Sequence, residues 1–165
     1  LLAVRAIAIT LLLGAVVGAR AQSSPLSSLA ASMTPGSFAT LSTTNINNTL
    51  KATGASGIVF GFTDKAVWDP ATKQFFFVGG DHGDQAKFVS YRETTNTWQL
   101  MPQPAWIPPA TATPMHGYHH SAITPSGFLY HRPYNNMVAQ RYSIAGGTWT
   151  ALPTLSSSIM GYNSC

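Results

Sequence analysis

The feature that most constrains this chain is an internal repeat of about 50 residues. Tyr91 to Trp98 matches Tyr142 to Trp149, with Trp seven positions after Tyr in both copies and the copies 51 positions apart. Each Trp runs into a short stretch that ends in proline, Gln99-Leu100-Met101-Pro102 and Thr150-Ala151-Leu152-Pro153. Upstream, Gly61-Phe62-Thr63-Asp64-Lys65-Ala66-Val67 matches Gly117-Tyr118-His119-His120-Ser121-Ala122-Ile123, and Gly161-Tyr162 restarts the phrase. Repeats of this length are supersecondary units that cannot bury their apolar faces alone, so neighbouring units must stack.

Each unit reads as four short strands separated by turn residues. The first predicts strands near 61–68, 74–80, 86–92 and 96–101, and the second near 117–123, 127–131, 137–143 and 147–152. Asp69 to Lys73, Glu93 to Asn96 and Thr124 to Gly127 supply turns. Phe75-Phe76-Phe77-Val78 is continuously apolar, as expected of a strand covered on both faces. Four-stranded units at this period predict an all-β fold of β-propeller blades. Composition agrees. Charged residues are 8% of the chain, against about 25% in an average soluble protein. Aromatics at 11% exclude a solvated disordered tail, and no heptads suggest a coiled coil.

The apolar strand with its doublet Gly79-Gly80, followed by Tyr91 and Trp98, resembles the kelch-type β-propellers of the galactose oxidase and kelch-like superfamily. The second unit departs from that motif, with Tyr130-His131 where the glycine doublet belongs, while Tyr142 and Trp149 hold. The expected organisation is a signal peptide at 1–21, an N-terminal segment at 22–56, blade 1 at 57–102, blade 2 at 103–153 and the start of blade 3 at 154–165. Gly36-Ser37-Phe38-Ala39-Thr40-Leu41 parallels the outer strand at Gly147 to Leu152, which suggests a ring-closing outer strand. A closed ring has about 4–8 blades, so the chain reads as a piece of a longer propeller.

Residues 6–17 form an apolar run preceded by Arg5 and followed by Ala19-Arg20-Ala21, the order of a secretory leader. The run is shorter than the ~20 residues of a spanning helix, so no stable membrane anchor is expected once the leader is removed. Secretion to the exterior or periplasm follows. Without Arg5 and Arg20 the chain keeps seven basic and five acidic residues, scattered and without a basic run. Nucleic acid is therefore not an expected partner. Cys165 has no partner for an internal disulfide, and Asn47-Asn48-Thr49 fits the N-glycosylation pattern.

In an antiparallel blade the second-to-third-strand loop and the inter-blade connection share one face. Asp81, His82 and Asp84 fall in that loop of the first unit, and His131 with Arg132 opens it in the second. His116, Tyr118, His119 and His120 close the connection, which also carries Trp106. These ten residues are the candidate ligand contacts, for a glycan or protein partner. Tyr91, Trp98, Tyr142 and Trp149 recur once per unit, the pattern of inter-blade packing. The His116, His119, His120 spacing matches no zinc motif, so no metal or other cofactor is assigned, and no catalytic residue either. Copper enters only under the alternative that the resemblance raises, a galactose-oxidase-like radical oxidase, for which Tyr130-His131 is the available dipeptide. A propeller glycoside hydrolase, which needs two placed carboxylates, is the remaining alternative.

Overall fold

Tight turns shape each repeat into an antiparallel meander. In the computed structural model of the chain, the residues described are 23–46, 49, 66–80, 86–107, 116–117, 120–133 and 136–154. β1 (Val67–Asp69) ends on an Asp69 carboxylate that accepts hydrogen bonds from the backbone N–H groups of Ala71 and Thr72 at 3.3 and 3.1 Å. This local bond bends the chain into β2 (Gln74–Gly79). β3 (Lys87–Arg92) and β4 (Thr97–Leu100) follow, and the sheet order is β1-β2-β3-β4. The second repeat gives β5 (Ser121–Ile123), β6 (Phe128–His131), β7 (Val138–Ser143) and β8 (Thr148–Thr154) in the same order. The turns repeat too: Lys73 and Gly127 adopt positive φ at matching positions (57° and 79°), as do Asn96 and Gly147 (54° and 66°).

The register superposes the two units residue by residue. Phe75 pairs with Tyr91 and Tyr91 with Trp98, as Leu129 pairs with Tyr142 and Tyr142 with Trp149. Phe76 therefore corresponds to Tyr130, Phe88 to Ala139 and Val67 to Ala122. The core lies between the sheets and joins non-equivalent faces. Phe76 and Phe88, both fully buried, meet Tyr142 and Trp149. The ring of Phe88 stands edge-on to Tyr142 at 4.8 Å and to Trp149 at 5.1 Å, and Phe76 lies 6.3 Å from Tyr142. β1 and β5 run side by side.

Each sheet thus has a second face that the other does not cover. On the first sheet this face carries Tyr91 and Trp98, 5.3 Å apart, with Phe77 5.5 Å from Trp98. It borders a cavity of about 370 Å³ that Leu26, Leu41 and Ile46 of the N-terminal segment help to line. α1 (Pro25–Ser32) opens that segment. Ser24 caps it, accepting from the Ser27 N–H at 3.0 Å, and its hydroxyl also donates to Glu93. Farther on, Thr44 forms a parallel bridge to Thr97, and the Trp98 indole N–H donates to Thr43 at 3.1 Å. These bonds cover the β4 edge, which would otherwise present unpaired backbone groups.

Residues 37–43, where the ring-closing strand is expected, pair with no strand of the described residues, Phe38 is fully exposed, and the segment first meets the β4 edge at Thr44. Two strand boundaries differ from the sequence expectation. β5 starts at Ser121, not 117, because the His120 N–H bonds to the Gly117 carbonyl at 3.0 Å and closes a turn before the strand. β8 runs on through Pro153 to Thr154, which an outermost strand tolerates. The expected leader and the start of a third unit lie outside the described residues, as does Asn47.

Replacing Phe88 with Ala is expected to lower stability by about 3–5 kcal/mol, the usual range for a buried Phe. Phe38→Ala is expected to change it by less than about 0.5 kcal/mol. Equilibrium denaturation of both variants, followed by tryptophan fluorescence, makes the comparison.

Candidate functional site

Five of the predicted contact residues are described: Trp106, His116, His120, His131 and Arg132. The ladder between β5 and β6 brings three of them together. Ser121 pairs with His131, and one step beyond the strand the Arg132 N–H donates to the His120 carbonyl at 3.1 Å. The His120 Nδ1 lies 3.1 Å from the Arg132 carbonyl oxygen. The two residues are therefore tied by one backbone–backbone bond and one from the His120 ring to the Arg132 carbonyl, at the same end of the second sheet. His116 is buried just before the Gly117–His120 turn.

His131 points into the interior. The Ser121 hydroxyl and His131 Nδ1 are 3.0 Å apart, both residues are buried, and the imidazole stacks on Trp106 at 5.4 Å and 13°. Burial pushes the His131 ring down to about 3, and the neighbouring His120 opposes a second positive charge. The imidazole is thus neutral at physiological pH. A serine beside a histidine resembles a nucleophile and its base, but a general base works best with a pKa near the operating pH. At about 3, His131 is too weakly basic to activate Ser121. The pair is a rigid, neutral hydrogen bond.

Beside this pair lies a cavity of about 230 Å³, lined also by His120, Ala122, Tyr130, Arg132 and Ala139. Among the described residues its lining includes the Arg132 cation and the Tyr130 ring. Trp106 is not among its lining residues. Its ring stacks on His131 and meets Trp149 edge-on at 5.3 Å, so the aromatic predicted as a contact instead ties the connecting loop to the core. Asp81, His82, Asp84, Tyr118 and His119 lie outside the described residues.

Among the described residues no three His, Cys, Asp or Glu side chains converge in a way that would hold a metal ion. Tyr130 and His131, the dipeptide considered for copper, leave β6 on opposite faces as successive strand residues do. With His131 packed against Trp106, they do not form one ligand set. Sequence reasoning missed Ser121, Ala122 and Ala139. Ser121 was legible only through its pairing with His131, and the two alanines only through the larger residues at matching positions of the first unit. Compared with models of known protein families and with curated proteins, the chain matches none.

The His131 environment sets a pH dependence. Its folded value lies well below the unfolded value of 6.5, so between 6.5 and about 3 the unfolded chain binds more protons. The contribution of a neutral His131 is complete above pH 6.5 and is lost as pH falls toward 3, at up to about 1.4 kcal/mol per pH unit. His131→Asn is expected to be less stable at neutral pH and to show a flatter decline on acidification. Denaturation midpoints of both proteins between pH 7 and pH 4 check this.

Proposed function

We propose that the chain belongs to an exported kelch-like β-propeller that acts as a binding scaffold for a glycan or protein partner. The contact surface is the face of the second-to-third-strand loops and the inter-blade connection, at the end of the second sheet where His120 and Arg132 lie. Two observations support the propeller reading. The meanders stack Tyr142 and Trp149 of one unit on Phe76 and Phe88 of the other. In addition, the two uncovered faces carry the counterpart residues, Tyr91 and Trp98 on one side, Tyr130 and Ala139 on the other. Such a head-to-tail interface repeats from unit to unit and closes when the rotation permits.

The observation that carries the binding reading is the pairing of His120 with Arg132 at one end of the second sheet, where the Arg132 N–H donates to the His120 carbonyl and His120 Nδ1 lies 3.1 Å from the Arg132 carbonyl oxygen. The weak basicity of His131 favours recognition over proton transfer at this place.

Two measurements test the proposal. The protein expressed in a secreting host is expected in the medium, with Gln22 as its first residue by terminal sequencing; retention in cells with residues 1–21 attached contradicts export. On a glycan and secreted-protein array, the protein is expected to give discrete signals that the double variant His120→Ala, Arg132→Ala loses. Signals that persist in that variant exclude this end of the sheets as the contact surface.

A further inference from the structure

The N-terminal segment occupies the outer edge of the first sheet. Thr44 lies parallel to β4: its N–H donates to the Asn96 carbonyl at 3.1 Å, and its carbonyl accepts from the Trp98 N–H at 3.0 Å. Side chains reinforce the pair. The Thr44 hydroxyl donates to the Thr97 hydroxyl at 2.8 Å, and the Asn96 amide donates to the Ser42 carbonyl at 2.7 Å. On the inner side, the Met101 N–H donates to Phe88 of β3 at 3.0 Å. Backbone directions alternate along a strand, so Trp98 and Leu100 are the β4 residues whose N–H groups point outward.

The second sheet repeats this edge. The register makes Thr148, Trp149 and Ala151 the counterparts of Thr97, Trp98 and Leu100, and Gly147 precedes them as Asn96 does in the first unit. The Trp149 and Ala151 N–H groups and the Gly147 carbonyl therefore point outward. β8 is the last strand of its sheet, and among the described residues none pairs with its outer side. Thr148, Thr150 and Ala151 are exposed. Edge strands are usually blunted by charge, a bulge or proline. β8 carries no charged residue, and its register shift and Pro153 both lie past Ala151. Thr148–Ala151 is thus a regular edge with donors and acceptors to offer.

We propose that this edge of β8 docks an extended segment of a partner protein, added in parallel with a Ser or Thr facing Thr148. The chain's own Ser42-Thr43-Thr44 displays the chemistry that such an edge accepts. β8 keeps the groups for both backbone bonds and the threonine hydroxyl, and lacks only the Asn96 amide. In strand addition the main-chain bonds supply affinity and the facing side chains supply specificity. The surface lies at the end of the ladder where Phe128 pairs with Ser143 and Ser143 with Thr148, opposite to the end that carries His120 and Arg132. It therefore stands or falls independently of the contact surface described above.

The test is fluorescence anisotropy of a labelled, end-blocked peptide with the sequence of residues 40–46, Thr-Leu-Ser-Thr-Thr-Asn-Ile, titrated with the full chain. Saturable binding with a dissociation constant below about 1 mM is expected. Gly147→Asn supplies the missing amide. Gly147 has φ 66°, close to the 54° of Asn96, and a Cβ there meets nothing nearer than the Tyr142 hydroxyl at 3.9 Å. This variant is expected to tighten binding by about 3- to 10-fold, the effect of one added hydrogen bond. Ala151→Pro removes one outward N–H and is expected to weaken binding by about tenfold or more, with the circular dichroism unchanged. A peptide methylated on the nitrogen of its Thr44 residue is expected not to bind. No binding by the unmodified chain at about 1 mM overturns the proposal. Binding that Asn96→Ala weakens, and that neither Gly147→Asn nor Ala151→Pro alters, places the peptide on β4 in exchange for the chain's own segment and overturns it too. Self-association that Ala151→Pro abolishes, without peptide binding, assigns the edge to a second copy of the chain instead.

Discussion

The packing of Phe88 against Tyr142 and Trp149 is the contact on which the rest of the structure depends. A four-stranded meander of this length has two apolar faces, and alone it buries neither. Burying one aromatic side chain contributes on the order of 1.5–3 kcal/mol, and edge-to-face pairs add about 0.5–1.5 kcal/mol each. The Phe88 ring makes two such pairs across the interface. Trp106 extends the aromatic cluster from Trp149 to His131, so the same packing that joins the sheets also holds the end of β6 in place.

That coupling ties the candidate site to the core. His131 is fixed by the stack below it and by Ser121 beside it, and Arg132 follows it in the chain, bonded to the His120 carbonyl. The groups that face the pocket hang from a ladder whose register the core determines. A shift of one residue along β6 would exchange Tyr130 and His131 between faces, burying the phenol and exposing the imidazole. Core packing and site chemistry therefore come from one register.

Much of this architecture was legible in the chain, because a repeat states the same pattern twice. The Tyr–Trp spacing located β3, β4, β7 and β8, the turn residues Asn96 and Gly147 marked the boundaries between them, and Asp69 marked the end of β1. The inward placement of Tyr142 and Trp149 followed from their recurrence. Other parts were hidden for physical reasons. Gly36 to Leu41 copies the local pattern of an outer strand, but local pattern does not supply a pairing partner. α1 had a readable signal that the repeat obscured, a capping Ser24 followed by Pro25 at the first helical position. At the site, the histidines drew notice by residue type, whereas Ala122 and Ala139 matter through volume they do not fill. That becomes visible only when the units are superposed by register.

The central claim is that the two repeats are one stacked structure, not two hairpin pairs on a string. Aromatic nuclear Overhauser spectroscopy of the intact chain tests this most directly. With ring centres 4.8 and 5.1 Å apart, the Phe88 ring protons should show strong cross-peaks to both Tyr142 and Trp149. Cross-peaks confined to pairs within a sheet, such as Tyr91 with Trp98 and Tyr142 with Trp149, and none from Phe88 to the second repeat, would contradict it.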